Sequence, residues 1–237
     1  MATVLPVTGT RVPSVPRCSD RIGAVNRWPS PNHGERRGGV QPTLIVLHYT
    51  GMPTCAEARA RLCDPAAEVS AHWLISEAGE AEALIPEHLR AWHAGAGEWR
   101  GRGDVNSRSI GIELANPGDR PFPEAQMAAL EHLLPEVMAR WHIPAQGVIA
   151  HSDMAPSRKG DPGRRFDWLR LARLGLAVWP EPGEPGDFRA DLTAFGYPDA
   201  PEPDLLAAFR LRFRPWGTGP VGEADAAAAA GLRRFSI

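Results

Sequence analysis

Lysine is almost absent from this chain. Lys159 is the one lysine among 26 basic residues, and all the others are arginine. Runs of like charge are also missing, and the formal net charge is only -2, so a groove for nucleic acid would have no electrostatic support. No apolar stretch approaches the roughly 20 residues that a membrane-spanning helix needs. We therefore expect a protein that binds neither nucleic acid nor a membrane.

Cysteine is nearly as scarce. Cys18, Cys55 and Cys63 cannot all form pairs, and a sparse, odd number of cysteines is typical of a reducing compartment. The first residues lack the basic start and the apolar segment of a secretory signal. The residues before Cys18 are not the small residues of a lipoprotein cleavage site. These features predict a cytoplasmic protein.

The most unusual stretch that the chain does contain is residues 151–163. It combines one histidine, two aspartates, the lysine, two prolines and two glycines within 13 positions. The prolines and glycines exclude a regular helix or a central strand, which predicts a stiff loop. Loops that hold His and Asp side chains rigidly make good metal sites. The lysine indicates that this loop needs a compact, deprotonatable ammonium group that a planar guanidinium could not replace.

Strand and helix patterns alternate through the middle of the chain. Short apolar, β-rich runs predict strands at residues 43–48, 70–75, 82–85, 109–114 and 148–151. Capping-box spacing predicts a helix that opens at Thr54 and stops before Pro65. Helical spacing of apolar residues predicts further helices at residues 123–142, 166–174, 187–195, 203–213 and 222–234.

Three polar side chains form a candidate metal site. His48 ends a buried strand, where its ring can point into a cleft, and His151 and Asp161 belong to the stiff loop. Two imidazoles and one carboxylate, completed by a water molecule, are typical of an open, catalytic zinc site. Such a zinc ion activates water and polarises a carbonyl group. The predicted reaction is hydrolysis of an amide.

Two further residues are candidates for the chemistry. In the strand at residues 109–114, alternation puts three apolar side chains on one face, and Gly111 and Glu113 on the other. Glu113, beside a glycine that leaves room, can therefore face a cleft and act as a general base. Lys159 can stabilise the oxyanion of a tetrahedral intermediate.

Each of these residues also has an ordinary explanation. Three His and Asp residues can come together by chance in a chain with eight histidines. His72 or His93 could be ligands instead of the chosen histidines. Glu113 could be a solvated residue at a strand edge, and Lys159 a solvated surface charge. The residue types and their spacing alone leave these alternatives open.

Five motifs in order give the sequence a family resemblance. They are His48-Tyr-Thr50, Ser70-x-His72, Ala91-Trp-His-Ala-Gly95, Asn106-x-x-Ser-Ile-Gly-Ile-Glu-Leu114 and His151-x-Asp-x-Ala-Pro-x-Arg-Lys-x-Asp-Pro-Gly163. Together they resemble the type-2 family of zinc-dependent N-acetylmuramoyl-L-alanine amidases, the AmpD/AmiD-like enzymes. The resemblance implies an α/β fold in which helices flank a mixed central β-sheet, as in peptidoglycan recognition proteins.

The resemblance also implies roles for individual residues. The zinc (Zn2+) ligands would be His48, His151 and Asp161, and the catalytic residues Glu113 and Lys159. The residues implied to bind substrate are Tyr49, Trp92, His93, Ala94, Gly95 and Asn106.

The implied reaction is hydrolysis of the amide bond between N-acetylmuramic acid, in its 1,6-anhydro form, and L-alanine during peptidoglycan recycling. The alternatives are a muropeptide-binding module without activity and an exported amidase that acts on the sacculus. We expect a monomer whose partner is the muropeptide or peptidoglycan substrate.

Composition divides the chain into four predicted parts. We expect an extended N-terminal arm at residues 1–41, the catalytic domain at 42–180, an acidic, proline-rich linker at 181–186 and a small helical domain at 187–237. Residues 209–215 of the last part resemble the middle of a helical peptidoglycan-binding-like domain. All the candidate catalytic residues precede this part, so it is expected to serve stability or substrate docking.

Overall fold

A mixed β-sheet lies at the centre of the protein. The structure, a computed structural model, describes residues 26–236. The strands of this part are β1 (Asn26–Arg27), β2 (His33–Gly34), β3 (Leu44–Tyr49), β4 (Trp73–Ile75), β5 (Ala81–Ala83), β6 (Arg90–Ala91), β7 (Ser109–Leu114) and β8 (Val148–Ala150). Six of them form the main sheet in the order β1-β5-β4-β7-β3-β8, and β2 pairs with β6 in a small second sheet.

Helices surround this sheet. They are α1 (Cys55–Leu62), α2 (Val105–Arg108), α3 (Glu124–Trp141), α4 (His151–Met154), α5 (Trp168–Arg173), α6 (Phe188–Phe195), α7 (Glu202–Phe213) and α8 (Glu223–Gly231). Short 3-10 turns lie at Arg37–Gly39, Pro65–Ala67, Ala145–Gly147 and Leu232–Phe235. The predicted fold class, a mixed central sheet flanked by helices, is confirmed. Within the described residues, no helix has both the length and the apolar character needed to cross a membrane.

The two faces of the sheet are covered differently. Ile45, Leu47, Ile110, Ile112 and Leu114 pack with α3 and α5 on one face. On the other face, Leu44, Val46 and Ile149 join a hydrophobic cluster with α6, α7 and α8. Period-two alternation along β3 and β7 produces this division. The side chains of His48 and Glu113, and the open position at Gly111, therefore belong to the face that the C-terminal helices cover.

The strand order brings the polar ends of three strands together. β3 is parallel both to β7 and to β8, and His48 is in register with Glu113. His151 directly follows β8. Because the carboxyl ends of neighbouring parallel strands meet at one edge of a sheet, these residues share that edge.

One sequence expectation is wrong, and another lies partly outside the described residues. The stretch from His151 was expected to be a loop throughout, but its first four residues form the helical turn α4, and the prolines and glycines shape only the residues after this turn. Residues 1–25 of the expected N-terminal arm, Cys18 among them, lie outside the described residues. In residues 26–41, the amides of Trp28 and Ser30 donate to the carbonyls of Ala83 and Leu84, each at 3.0 Å.

Candidate metal centre

Three predicted ligands meet at the shared edge of the sheet. The Nδ1 atom of His48 lies 2.9 Å from Nδ1 of His151 and 2.9 Å from Oδ2 of Asp161. Nδ1 of His151 lies 3.0 Å from the same carboxylate oxygen. All three residues are buried. Among residues 26–236, these three make up the one group of His, Cys, Asp and Glu side chains whose ligand atoms are close enough to hold a metal ion.

The loop that carries Asp161 is tied to α4 through the backbone. The amide of Ser152 donates to the carbonyl of Asp161 at 3.1 Å. The amides of Arg158 and Lys159 both donate to the carbonyl of Ala155 at 3.0 Å. These bonds fold the loop back, so that Asp161 comes to face the ring of His151 ten positions earlier in the chain.

Hydrogen bonding determines the tautomer of His151. Its Nε2 atom lies 2.9 Å from the carbonyl oxygen of Ala94. A carbonyl oxygen can only accept, so in the neutral ring Nε2 carries the proton and donates it. Nδ1 therefore presents a lone pair to the ligand group.

A longer chain of hydrogen bonds determines the tautomer of His48. The Ser109 hydroxyl donates to the carbonyl of Val105 at 2.6 Å, so it accepts from Nε2 of His93, 3.1 Å away. Nδ1 of His93 is then unprotonated and accepts from Nε2 of His48 at 3.0 Å. The Nδ1 atom of His48 consequently also presents a lone pair.

The resulting group suits a divalent cation. Burial, followed by the neighbouring His151, lowers the pKa of His48 to about 4, which keeps the ring neutral at pH 7. Two imidazole lone pairs and a carboxylate oxygen then converge with no hydrogen between them, and a positive ion relieves their repulsion. Two nitrogen ligands and one oxygen ligand fit zinc, with a fourth position left for water or substrate.

Glu113 lies beside this group in an unusual environment. Its Oε2 atom is buried and has no hydrogen-bond partner among the described residues. Burial raises the pKa of Glu113 from 4.5 to about 8; the negative charge of Asp161 adds to the rise, and the positive charge of Lys159 opposes it. A carboxylate with a pKa near neutrality can both accept and return a proton.

These groups open into a cleft of about 440 Å³. Its lining residues are His48, Tyr49, Thr50, Met52, Ala58, Arg61, Leu62, Val69, Ser70, Trp92, His93, Glu113, His151, Arg158, Lys159, Gly160 and Asp161. The lining includes all five predicted metal and catalytic residues. It also includes three of the six predicted substrate contacts, namely Tyr49, Trp92 and His93.

The other three predicted substrate contacts, Ala94, Gly95 and Asn106, are not among the lining residues of the cleft. The side-chain oxygen of Asn106 accepts from the amides of His93 and Ala94, at 3.0 and 2.8 Å. The carbonyl of Ala94 accepts from His151 and from Arg158. A side chain added at Gly95 would lie against the Arg158 guanidinium. Asn106 and Ala94 are buried supports of the segment that orients His151, whereas Gly95 is exposed beside Arg158. Their contact with substrate stays a prediction.

His72, an alternative ligand on sequence grounds, lies outside the ligand group. Its Nδ1 atom accepts the amide proton of Gly111 at 2.9 Å, and its Nε2 lies 3.1 Å from the carbonyl of Leu89. Burial, and then the charge of Arg36, lower the pKa of His72 to about 3. Its ring is a buried support for β7.

Sequence reasoning missed two groups that orient the ligands. They are the hydroxyl of Ser109 and the carbonyl of Ala94. Ser109 stands inside the Asn106–Leu114 motif, which was the available signal, but a serine at the start of a strand has no distinctive pattern. A backbone carbonyl leaves no trace in a sequence. Arg61, on α1, was also missed as a lining residue of the cleft.

Comparisons with known proteins agree with this geometry. Residues 38–164 match the family described as N-acetylmuramoyl-L-alanine amidase. The amidase AmiD of Escherichia coli is 35% identical over 220 residues, which cover 77% of this chain and 78% of AmiD. The 1,6-anhydro-N-acetylmuramyl-L-alanine amidase AmpD of Enterobacter cloacae is 35% identical over 160 residues, 60% of this chain and 86% of AmpD.

A solved structure extends the likeness to three dimensions. It is the complex of Escherichia coli AmiD with the substrate anhydro-N-acetylmuramic acid-L-Ala-D-gamma-Glu-L-Lys. It superposes with a TM-score of 0.74 at 32% identity, covering 83% of this chain and 90% of AmiD. The family match spans more than half of the chain, and AmiD is matched over most of its own length. The chain therefore belongs to the N-acetylmuramoyl-L-alanine amidase family.

Proposed function

We propose that this chain is a zinc-dependent amidase that hydrolyses the bond between the lactyl carbonyl of N-acetylmuramic acid and the nitrogen of L-alanine. One observation carries the proposal. Three lone-pair donors, from His48, His151 and Asp161, converge beside Glu113 and Lys159 in a single cleft. Family membership names the bond, and this constellation supplies the groups that its hydrolysis needs.

The metal has a limited and defined part in the mechanism. A zinc ion held by His48, His151 and Asp161 would act as a Lewis acid toward the amide carbonyl and lower the pKa of the attacking water. The protein holds these ligands in the required tautomers through Ala94, His93 and Ser109. Hydrogen bonds that orient metal ligands typically raise both ligand basicity and metal affinity.

Proton transfer belongs to Glu113. Its carboxylate accepts a proton from water as the oxygen attacks the carbonyl carbon, and it later donates that proton to the alanine nitrogen as the C–N bond breaks. The product acid and the free amine result, so one water is consumed for each bond cleaved. The buried, unpartnered Oε2 atom and the raised pKa of Glu113 both suit this double role. The ammonium of Lys159 lines the same cleft and stabilises the developing oxyanion.

Three cationic side chains of the cleft suit an anionic muropeptide. Arg61, Arg158 and Lys159 line it together. A muropeptide such as the substrate of the AmiD complex carries carboxylates along its stem peptide, and these cations can receive them. The names of AmpD and of the AmiD ligand favour the 1,6-anhydro sugar. We further propose a monomeric, cytoplasmic enzyme of peptidoglycan recycling.

Metal analysis tests the zinc site. The purified parent is expected to contain one zinc per chain, and His151→Ala should lose it, because two ligands remain where three are needed. His132→Ala is the matched control, since His132 is an exposed histidine on α3. Full zinc occupancy in purified His151→Ala would overturn the ligand assignment.

Product analysis tests the reaction. Mass spectrometry of anhydro-muropeptide treated with the enzyme should yield anhydro-N-acetylmuramic acid and a free stem peptide. A zinc-loaded protein that binds muropeptide without cleaving it would instead be a binding module. Release from intact sacculi as fast as from soluble anhydro-muropeptide, or recovery of the native protein from the periplasm, would favour an exported amidase.

A further inference from the structure

A buried ion pair joins the C-terminal helices to the metal centre. Asp153 lies on α4, two residues after His151, and its carboxylate pairs with Arg212 of α7. Both side chains are fully enclosed, with 0% of each exposed. The helix α4 is a single turn, and so short a helix has no stability of its own.

Both carboxylate oxygens of Asp153 accept hydrogen bonds in this junction. Oδ1 accepts from the Tyr197 hydroxyl at 2.5 Å. Oδ2 accepts from Nη1 of Arg212 and from the backbone amide of Ala150 at 2.9 Å. Ala150 immediately precedes His151, so the carboxylate caps the start of the turn that carries the metal ligand.

Arg212 makes further contacts beside its pair with Asp153. Its Nη2 atom donates to the carbonyl of Val148 in β8 at 3.1 Å. Its guanidinium lies 4.3 Å from the ring centre of Trp168 and 4.8 Å from that of Phe213. Arg212 therefore grips both the strand before His151 and the turn after it, while aromatic rings fix the plane of its guanidinium.

We infer that the C-terminal helices position the metal ligand His151, with Arg212 and Tyr197 as positioning residues that act through Asp153. This inference rests on the proposed zinc site. Arg212 belongs to residues 209–215, whose sequence resembles part of a peptidoglycan-binding-like domain. By this inference the same segment also supports the metal site. Without Arg212, the buried carboxylate of Asp153 has no counter-charge and must be hydrated. The turn α4 then has to open so that water can enter. The ring of His151 then loses its fixed direction.

Two arginines of the same helix provide a matched test. Arg212→Met removes the ion pair to α4. Arg210→Met removes another arginine–aspartate pair of α7. Arg210 donates to Asp225, which also pairs with Arg214, and to the carbonyls of Gly219 and Pro220, all within the C-terminal part. Zinc affinity of the full-length chain is measured by competition with a chromophoric chelator. We expect Arg212→Met to bind zinc at least about 10-fold more weakly than the parent, because loss of a group that orients a metal ligand typically has an effect of this size. Arg210→Met should bind zinc as tightly as the parent.

A second readout needs no metal. Hydrogen exchange of the amides in α4 should quicken in metal-free Arg212→Met and stay at the parental rate in Arg210→Met. If Arg212→Met does not fold, Tyr197→Phe replaces it, since this change removes one hydroxyl and keeps the ring. It should weaken zinc binding by a few-fold and quicken exchange in the same amides.

The outcomes separate the two proposals. Equal zinc affinity and equal α4 exchange in the Arg212 and Arg210 variants, or a fully parental Tyr197→Phe where Arg212→Met does not fold, would overturn the positioning role. A parent chain that binds no zinc would overturn the proposed function instead, and the exchange rates of the metal-free chain would still decide the role of Arg212.

Discussion

At the scale of single residues, the candidate site depends on which atom of each side chain faces inward. His48 and His151 both turn Nδ1 to the ligand group because their Nε2 atoms are engaged elsewhere, by His93 and by the Ala94 carbonyl. Glu113 differs from these histidines, because its Oε2 is buried in the lining of the cleft without a partner among the described residues, and its pKa is raised. A group so costly to bury is expected to have a task in turnover.

Replacing Glu113 by Gln should abolish most turnover and leave zinc binding intact. The amide has nearly the same shape but cannot take a proton from water, and loss of a general base typically costs about 10²- to 10⁴-fold in rate. Steady-state kinetics on anhydro-muropeptide, with zinc content measured on the same sample, provide the check. Activity within a few-fold of the parent would mean that another group is the base.

The same variant should change how stability depends on pH. The pKa of Glu113 is raised from 4.5 to about 8 in the folded, metal-free chain. The folded chain binds a proton at Glu113 more tightly than the unfolded chain does. The stabilisation that results is fully present below pH 4.5 and is lost as the pH rises toward 8. Gln does not titrate, so Glu113→Gln does not lose this stabilisation. Between pH 5 and 8, its free energy of unfolding should rise by on the order of 3 kcal/mol relative to that of the parent. Urea unfolding of metal-free protein across this range measures the difference, and parallel curves would contradict the raised pKa.

Lys159→Arg should be nearly as damaging as Lys159→Ala, although the Arg variant keeps the charge. Loss of one donor to an oxyanion typically costs roughly 3 to 4 kcal/mol of transition-state stabilisation. A planar guanidinium is more apt to grip the nearby Glu113 or Asp161 carboxylate than to approach the oxyanion as a point charge. The measurement is kcat for both variants at equal zinc content. A parental kcat in the Arg variant would indicate that only positive charge is needed.

At the scale of elements, β7 carries the site because its two faces have different side chains. Ile110, Ile112 and Leu114 are buried against α3 and α5. The opposite face has Gly111 and Glu113, and the ring of His93 lies directly against Gly111. A β-carbon at position 111 would come within 2.4 Å of that ring. The missing side chain thus makes room for the histidine that orients His48.

Gly111→Ala should accordingly weaken both the fold and the metal site. Overpacking of this kind usually costs about 1 to 3 kcal/mol, and the displaced His93 ring would release Nε2 of His48. Gly34→Ala is the control, because Gly34 is also a strand glycine and a β-carbon there meets nothing within 4 Å. Thermal unfolding and zinc affinity are measured for both variants. A Gly111→Ala protein as stable and as tightly zinc-binding as the Gly34 variant would contradict this assignment.

At the scale of the whole molecule, the C-terminal helices and the metal centre share one face of the sheet. Leu44, Val46 and Ile149 of the sheet belong to the same hydrophobic cluster as Phe188 of α6 and Phe209 of α7. The predicted boundary between residues 42–180 and 187–237 remains a prediction. The shared cluster and the buried pair of Asp153 with Arg212 favour a single cooperative unit.

We therefore expect one unfolding transition for the full chain. Circular dichroism and tryptophan fluorescence should give coincident curves in denaturant, because exposing the C-terminal helices would also uncover the sheet. Zinc at about 1,000 times its dissociation constant should add about 4 kcal/mol to the free energy of unfolding of the whole transition, and it should add nothing in His151→Ala. Two separate transitions, only one of them shifted by zinc, would support independent domains.

The sequence by itself determined the chemical inventory of the site and most of the elements. The apolar runs at residues 43–48 and 109–114 and the cap at Thr54 predict β3, β7 and α1 correctly, because strand alternation and helix capping depend on neighbours a few residues away. The five motifs led to the family and to the fold class. The stretch of residues 151–163 contains two members, His151 and Asp161, of the His-His-Asp group that the structure brings together, and their role as metal ligands stays a prediction.

Only the tertiary structure decided how these groups act together. His48 and His151 are 103 positions apart, and Asp153 and Arg212 are 59 apart. No local pattern records that the side chain of Asn106 accepts from the amides of His93 and Ala94, or that Arg212 reaches α4. Such contacts depend on how sheet faces and helices pack over the whole chain, where burial requires each polar group to find a partner wherever the fold brings one near.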